Sequence, residues 1–554
     1  MLDLWVDALC INQNDIHERN IQVAGMRDRY LDSIRTISWL GPGTESSSKA
    51  ISSLHEIYVF IKSNKAACGV LVAISQHRPD LIMPPVWDGI CDFFRNPYWS
   101  RRWILQELVL PNEVVLCCGD DLLSFDVVSD LIRWLEKLAS FSLEDQVYVS
   151  LIRDKERGPL DRYSNLTLLA SGQWIRLNEL HHVQLVHHKH AQLFETPYSH
   201  RDHVKNWHDW LYHSGSEVNA SDPRDHIFGS LAMAGRHPGI EVDYRKSVEE
   251  VYLEYAKLYA KTFDRLSFLR AAGHNQGFGY ASVKDKHPHH IFVPSWVPNW
   301  DALSMRLDIN YLMFPPKQPN TWRADGRPPE DFGRKWRFDG RVLRAHGVYI
   351  GTISSSHHLV RPLDVETREQ DDVLLDFCRD AVERNPEISE QLLELAFAGG
   401  TIRHDRESVD SEYNRALKYA ELKLWAARNP RVSEIFSHIK FHPFEQLMGS
   451  VCCLVYDKSE EYSRVMNDRH VYIENYNVIR TNNGKVGWGP HHAQPGDRVM
   501  ILFGCETPVV LRHVDNHFIH LGPAFIPSVT DGSHIKWLKG LANKNELIES
   551  IDIM

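Results

Sequence analysis

The sequence has no long hydrophobic run, and this absence excludes two classes of protein. No window of its 554 residues approaches the ~18 uninterrupted apolar residues of a membrane-spanning helix. The first apolar stretch is short and is interrupted by Asp7, so it lacks the pattern of a secretory signal peptide. We therefore expect a protein that neither spans a membrane nor is secreted, and that resides in the cytoplasm.

Cysteine is scarce and has no Cys-x-x-Cys spacing. The nine cysteines include two adjacent pairs, Cys117-Cys118 and Cys452-Cys453. An odd number of cysteines without this spacing, in so long a chain, favours reduced and mostly buried thiols over a disulfide framework. This composition agrees with a cytoplasmic location.

Neither an excess of positive charge nor a phosphate-binding loop is present. The formal net charge is −11 at pH 7 and the isoelectric point is near 6.3. These values argue against nucleic acid or an anionic membrane as the partner. The glycine-rich stretch Gly484–Pro490 lacks the Walker spacing and lies among predicted strands, so we interpret it as turns or bulges.

The opening of the chain is its most informative part. Residues 4–11 are almost wholly apolar and β-favouring, which predicts a buried strand. Asp15 and Glu18 follow with the spacing of a helix capping box. The next apolar run, Thr36–Leu40, ends at a Gly-Pro-Gly sequence. A strand, a helix and a strand in this order predict an α/β fold with a parallel crossover.

Four motifs occur in a fixed order in the first part of the chain: Leu4–Gln13, Glu18–Tyr30, Trp39–Gly41 and Arg101–Glu107. Together they resemble the heterokaryon incompatibility (HET) domain of filamentous fungi, and the resemblance covers roughly residues 1–130. Two further stretches, Asp222–Gly229 and Pro294–Trp300, are similar to segments that accompany this domain in long fungal proteins. The resemblance implies a role in nonself recognition and programmed cell death.

The resemblance also implies a fold. HET domains are similar to TIR domains, whose flavodoxin-like sheet has its first strand in the centre, beside the ligand crevice. Family members carry a further strand with an A-L-S-Y-x-W-G signature before the strand at which this sequence opens. The expected fold class is therefore TIR-like α/β with an incomplete first strand. An empty central position would leave buried backbone groups unpaired at ~1–3 kcal/mol each, so either another segment or chain fills it or the gene model is truncated.

Composition divides the chain into three expected domains. Short strands between His470 and Ile526, together with an Asp339-Gly340 turn, predict a small β-barrel near the end of the sequence. Helical periodicity predicts amphipathic helices at Asp126–Leu138 and Ser247–Phe263. The expected domains are 1–130, HET-like; 131–335, mainly helical; and 336–554, β-rich with a helical insertion at about 358–468.

Trp103 and Glu107 are the first candidate catalytic pair. They lie four residues apart and so share one face of a predicted helix. The spacing equals the W-x-x-x-E pattern of TIR domains, in whose catalytic members the glutamate engages the ribose of NAD. A carboxylate suits this reaction because the transition state resembles an oxocarbenium cation. The alternative is that Trp103 is a core residue and Glu107 pairs with a nearby arginine.

Asp7 is the second candidate catalytic residue. It lies near the carboxyl end of the predicted strand, where open α/β sheets bind ligands. Cys10, Asn12 and Gln13 would line the same crevice as binding residues. The alternatives are that the Asp7 carboxylate accepts backbone hydrogen bonds from a neighbouring loop or helix, and that Cys10 is a small buried thiol.

Two other polar clusters have structural alternatives. The histidine-rich run His181–His190 could hold zinc, but it has no cysteine or carboxylate, and a solvated helix face is the default interpretation. Asp222, Arg224 and Asp225 could form an arginine–carboxylate clamp or simply a loop and helix cap. No metal site is therefore predicted.

Two functions from different classes follow. The first is an interaction module that transmits an incompatibility and cell-death signal by binding a protein partner, with self-association included. The second is a TIR-like NAD glycohydrolase in which Glu107 stabilises the ribosyl cation, Trp103 shapes the pocket and Asp7 orients ribose hydroxyls. NAD is then the substrate, and no resident cofactor is expected. An inactive truncated paralogue is the remaining alternative.

Overall fold

A computed structural model describes part of the chain, which divides into two compact units. Unit 1 comprises residues 1–258 and 300–305, and unit 2 comprises 259–299 and 306–554. The described residues are 3–139 except 65–69, 71–72, 75, 83 and 95; then 207, 211, 219–234, 239–273, 292–301 and 324; and finally 336–358 and 476–554 except 527–528, 530–531 and 542–543.

Unit 1 contains a three-stranded sheet. Strand β1 (Thr36–Gly41) pairs in parallel with β2 (Val114–Cys118), which pairs antiparallel with β3 (Asp121–Ser124). Ser38 and Leu40 of β1 face the core, whereas Ile37 and Trp39 are largely exposed. The sheet therefore has one covered face and one open face.

Helices pack on the covered side of this sheet. Helix α4 contacts both α5 and α7, and the side chains of Leu54 and Ile57 on α4 are fully buried. The helices are, in chain order, α1 (Asp7–Cys10), α2 (Ile16–Ala24), α3 (Met26–Asp32), α4 (Glu45–Ser63), α5 (Pro84–Phe94), α6 (Ile104–Val109), α7 (Phe125–Ala139), α8 (Asp225–Phe228) and α9 (Val248–Phe263), which continues into unit 2.

The strand predicted for residues 4–11 is wrong. This segment forms the short helix α1, and Leu4 and Leu9 are 78% and 84% exposed. The amides of Leu9 and Cys10 donate to the carbonyl of Val6, at 3.0 and 2.8 Å. A strand needs a neighbouring edge to satisfy its backbone groups, and no described strand pairs with these residues. A local turn satisfies them instead.

Other predicted elements of unit 1 are confirmed. Asp15 caps α2 by accepting from the amides of His17 and Glu18, at 2.9 and 3.1 Å. The capping box is incomplete because Glu18 accepts from the amide of Asn12, at 3.1 Å, rather than from that of Asp15. Strand β1 and helices α7 and α9 lie where the sequence patterns placed them.

Unit 2 contains a closed ring of strands. β5 pairs with β8, β8 with β9, β9 with β10, β10 with β11, and β11 returns to pair with β5. The hairpin β6–β7 and the strand β4 add to β5 outside this ring. The strands are β4 (Trp336–Asp339), β5 (Val342–His358), β6 (Tyr476–Thr481), β7 (Val486–Pro490), β8 (Arg498–Leu502), β9 (Val509–Val514), β10 (His517–Pro523) and β11 (Ile548–Ile553).

The predicted turns of the barrel are in place. Gly340, at φ 58°, joins β4 to β5, and Gly484, at φ 81°, joins β6 to β7. A Cβ atom on Gly347 would lie 2.4 Å from the carbonyl oxygen of Ile501, so glycine permits the close approach of β5 to β8. Gly484 therefore lies in a turn, as predicted, whereas Val486–Pro490 forms strand β7 and not a further turn or bulge.

Several predicted features lie outside the described residues. They are the histidine-rich run His181–His190, most of the helical middle region, and the helical insertion at about 358–468. Among the helices that are described, none combines the length and apolar character needed to cross a membrane.

Candidate functional site

The segment before α6 positions Glu107. Asn96 accepts from the amide of Tyr98 at 2.8 Å and begins a 3₁₀ turn, Pro97–Ser100, that buries Tyr98 and Trp99. Arg101 is extended, and the helical turn resumes at Ile104. Tyr98 and Glu107 consequently approach each other across this bend.

Glu107 is a partly buried carboxyl group with two polar neighbours. The hydroxyl of Tyr98 donates to Oε2 at 3.2 Å, and a guanidinium nitrogen of Arg101 lies 4.0 Å from Oε1. Burial raises the pKa of Glu107, and the negative charge of Asp7 raises it further, while Arg101 and the Tyr98 hydrogen bond oppose the shift. The Glu107 side chain is 13% exposed.

Asp7 and Glu107 belong to one electrostatic neighbourhood. Both carboxylates raise the pKa of Tyr30, in addition to the effect of burial, and Arg101 lowers it. Asp7 also accepts from the amide of Ala8 at 2.7 Å, as expected of a helix-starting aspartate. Asp7 thus acts on the pKa of Glu107 through its charge, and it lies on a helical turn and not on a strand.

The polar atom of Trp103, its indole nitrogen, is used for a contact that does not involve Asp7 or Glu107. Its indole Nε1 donates to Oδ2 of Asp225 at 3.1 Å. Gln106 Nε2 donates to the carbonyl of Gly229 at 3.0 Å. The motif Arg101–Glu107 is therefore docked against Asp222–Gly229, the first of the two further stretches that resemble segments accompanying HET domains.

Arg102 completes this contact. It is fully buried, and its Nη2 lies 3.0 Å from Nδ1 of His226. Because a guanidinium can only donate, Nδ1 must accept and the ring proton of neutral His226 is on Nε2. This nitrogen lies 3.3 Å from Oδ1 of Asp301, to which it can donate. The hydrogen-bonded series Arg102, His226 and Asp301 therefore links three stretches of unit 1 that lie far apart in the sequence.

Asp225 accepts two hydrogen bonds inside the same contact. The hydroxyl of Tyr244 donates to Oδ1 at 2.5 Å, and Trp103 donates to Oδ2. Burial raises the pKa of Asp225 to about 6, against the opposing effect of these two donors. Arg19 lies over the Tyr244 ring, 3.5 Å from its centroid, and supplies a positive charge nearby.

Asp222 and Arg224 form the predicted clamp, and its role is structural. The guanidinium donates from Nε and Nη2 to the two Asp222 oxygens, at 2.9 and 2.8 Å, and from Nη1 to the carbonyl of Lys246 at 2.8 Å. Arg224 also donates its amide to Asp222 at 3.1 Å. The clamp thus fixes the loop before α8, and Asp225 belongs to the Trp103 contact instead.

Replacement of Gly229 by alanine should weaken this contact. A Cβ atom there would lie 2.8 Å from the carbonyl oxygen of Asp225 and 2.9 Å from Cγ of Arg102. Overpacking of this kind typically costs ~1–3 kcal/mol, so we expect the denaturation midpoint of unit 1 to fall. The matched control is Gly89→Ala, whose Cβ would meet only Ser46, at 3.8 Å or more, and which should stabilise α5. Equal midpoints for the two variants would contradict the proposed packing.

The predicted binding residues do not line one crevice with Asp7. Cys10 is exposed, so its interpretation as a buried thiol is wrong; without a strand it has no sheet to pack beneath. Gln13 is also exposed. Asn12 lines an open groove of about 560 Å³, whose other lining residues are Asn14, Asp15, Ile16, His17 and Arg245.

Sequence reasoning missed the tyrosines of the site. Tyr30 and Tyr98 flank Glu107, and Tyr244 holds Asp225, yet none has a spacing signal that sets it apart from a core aromatic residue. Within the described part of the chain, no three histidine, cysteine or carboxylate side chains form a group that could hold a metal ion.

Comparison with known proteins agrees with this architecture. Residues 2–107 match the family model described as heterokaryon incompatibility protein (HET), and residues 398–539 match that of the Het-6 beta-barrel domain. The chain is also similar to heterokaryon incompatibility protein 6, OR allele, of Neurospora crassa, at 22% identity over 96% of this chain and 81% of that protein. No solved structure matches. One region of the chain thus matches the HET family and another matches the Het-6 barrel family, and the chain resembles a fungal heterokaryon incompatibility protein over most of its length.

Proposed function

We propose that this chain acts in heterokaryon incompatibility as a nonself-recognition protein, and that its HET domain transmits a cell-death signal as an interaction module. The observation that supports this proposal is the use of the Arg101–Glu107 motif. Arg102, Trp103 and Gln106 all form hydrogen bonds with the stretch Asp222–Gly229. The similarity to a protein named for heterokaryon incompatibility supports the same role.

A TIR-like NAD glycohydrolase is the second candidate function. The shared neighbourhood of Asp7 and Glu107 favours it, because two carboxylates beside the tyrosine hydroxyls could accept ribose hydroxyls and stabilise an oxocarbenium-like transition state. Glu107 would act in its ionised form. The raised pKa of Glu107 then implies that the rate increases as the pH rises through that pKa.

Glu107→Gln distinguishes the two functions. The variant keeps the shape of the side chain and its acceptor for Tyr98, so unit 1 should remain folded. If the chain is an interaction module, the variant should kill fungal cells on induced expression as the unchanged chain does, and neither should release nicotinamide from NAD. If the chain is an enzyme, the unchanged chain should release nicotinamide faster at higher pH, and the variant should lose both nicotinamide release and killing.

The control is Asp28→Asn, which removes an exposed charge paired with Arg27. It should be silent in both assays because exposed ion pairs contribute ~0–1 kcal/mol. Nicotinamide release that depends on Glu107 would overturn the interaction-module proposal, whereas killing without NAD loss would overturn the enzyme.

A further inference from the structure

Within the described part of the chain, strand β1 is paired along one edge only. Its backbone bonds to β2 from alternate residues, beginning with the amide of Thr36, which donates to the carbonyl of Glu113 at 2.9 Å. In a parallel pair, the residues between these direct their N–H and C=O groups to the opposite edge. Ile37 and Trp39 occupy those positions, and no described strand pairs with them.

The same two residues present apolar side chains to solvent. Ile37 is 60% and Trp39 56% exposed, on the open face of the sheet. Leu122 of β3 is 59% exposed. Strands of parallel sheets are ordinarily covered on both faces, and large exposed apolar side chains beside a free edge mark a surface that binds another strand.

We propose that β1 pairs antiparallel with β1 of a second copy of this chain, about a two-fold axis through Ser38. In this register Ile37 lies opposite Trp39 of the second copy, and Trp39 lies opposite its Ile37. Each of these opposed pairs exchanges two backbone hydrogen bonds, so the free groups of both edges are satisfied. Both Ile–Trp pairs fall on the open face, where aromatic and β-branched residues stabilise paired strands.

The distribution of charged side chains around β1 is compatible with this symmetric contact. Strand β1 contains no charged side chain, so the two copies bring no like charges together along the paired edge. The preceding Arg35 is already paired with Glu113 of its own chain, at 2.6 Å. An edge that lacks the lysine or proline with which natural sheets prevent pairing is suited to a second copy of itself.

The inference deepens the proposed interaction function and rests on it for the biological role, but the dimer can be measured on its own. Sedimentation of the full chain should show a concentration-dependent dimer. Trp39→Lys should raise the dimer dissociation constant about tenfold or more, which corresponds to ~1.4 kcal/mol. The control Val59→Lys changes an equally exposed apolar residue, 61% exposed on α4, and should leave the constant unchanged.

Disulfide trapping tests the register without relying on the stability of a variant. Directly opposed residues of this kind have Cα atoms about 5.5 Å apart, which is within disulfide range. With the exposed Cys10 replaced by serine, chains carrying Ile37→Cys and chains carrying Trp39→Cys should cross-link when mixed and oxidised, and much less when either is oxidised alone.

Three results would overturn the proposal. They are a chain that remains monomeric at tens of micromolar, a dimer that Trp39→Lys leaves unchanged, and cross-linking that is no stronger in the mixture. If the chain is a monomer, any partner of this edge of β1 is something other than a second copy. If the dimer forms but Trp39→Lys does not reduce killing, the interface stands and the proposed signalling function fails.

Discussion

Replacing Asp225 by alanine is expected to destabilise unit 1 by about 2–5 kcal/mol. The substitution removes the acceptor of the Tyr244 hydroxyl and of the Trp103 indole N–H. Each buried donor that loses its partner costs ~1–3 kcal/mol, and a cavity remains as well. Hydrogen exchange of peptides from unit 1, measured against denaturant concentration, reports the loss.

The carboxyl group of Asp225 also makes the stability of unit 1 depend on pH, and the direction of this effect follows from its pKa. Because the pKa of Asp225 is about 6 in the folded chain and lower when unfolded, the folded state holds the extra proton between these values. Its contribution to stability is therefore complete at about pH 4 and declines as the pH rises through 6, by at most ~1.4 kcal/mol per pH unit. Asp225→Ala should abolish this slope.

Asp28→Ala is the control for Asp225→Ala. Asp28 is exposed and pairs only with Arg27, so its loss should change stability by no more than ~1 kcal/mol. Similar exchange in the two variants would show that the Trp103–Asp225–Tyr244 contact does not hold unit 1 together.

Acid is expected to destabilise the barrel of unit 2 through His520. This side chain is fully buried, and among the described residues neither ring nitrogen forms a hydrogen bond of normal geometry. Burial lowers the pKa of His520 to about 3. The unfolded chain therefore binds the extra proton between pH 6.5 and 3, and the stability of the barrel should fall by up to ~1.4 kcal/mol for each unit the pH drops across this range.

His520→Leu should remove this acid dependence and leave stability at neutral pH unchanged or higher. A leucine fills a similar volume without two unsatisfied polar atoms, each of which costs ~1–3 kcal/mol when buried. Exchange protection of β9 and β10, followed from pH 7 to 4, measures both effects. His513→Leu, at an exposed position on β9, is the matched control and should retain the acid dependence of the unchanged chain.

An acid dependence of unchanged size in His520→Leu would contradict the assignment, since the lowered pKa of Asp552 leaves a smaller acid dependence of the same sign. Because the contributions of Asp225 and His520 have opposite signs, exchange resolved by unit is needed. A single global midpoint would conceal both effects.

The predicted elements that proved right had complete local signals. Thr36–Leu40 is a β-favouring run closed by Gly-Pro-Gly, and Asp126–Leu138 has a helical stripe. Residues 4–11 carry an equally strong local signal, yet Asp7–Cys10 form a helical turn whose backbone hydrogen bonds are local. The barrel followed from short strands and turn residues, although closure of its ring depends on pairings that no local pattern specifies.

The candidate site was predictable only in part. That Asp7 and Glu107 form one site stays a prediction, and the structure adds that the charge of Asp7 raises the pKa of Glu107. The partner of Trp103 could not be predicted, because Asp225 lies 122 residues further along the chain. From spacing alone, a tryptophan four residues before a glutamate suggests a shared pocket. The actual contact of Trp103 depends on the packing of a distant loop.

The ring in unit 2 is closed by β11, whose partner β5 occurs much earlier in the chain. During synthesis, β5 leaves the ribosome long before the strand that covers its edge. Until Ile548–Ile553 emerge, β5 and β10 expose backbone groups that can pair with neighbouring nascent chains. Yield of the intact protein in a cell should therefore depend on chaperones that shield this incomplete barrel during translation.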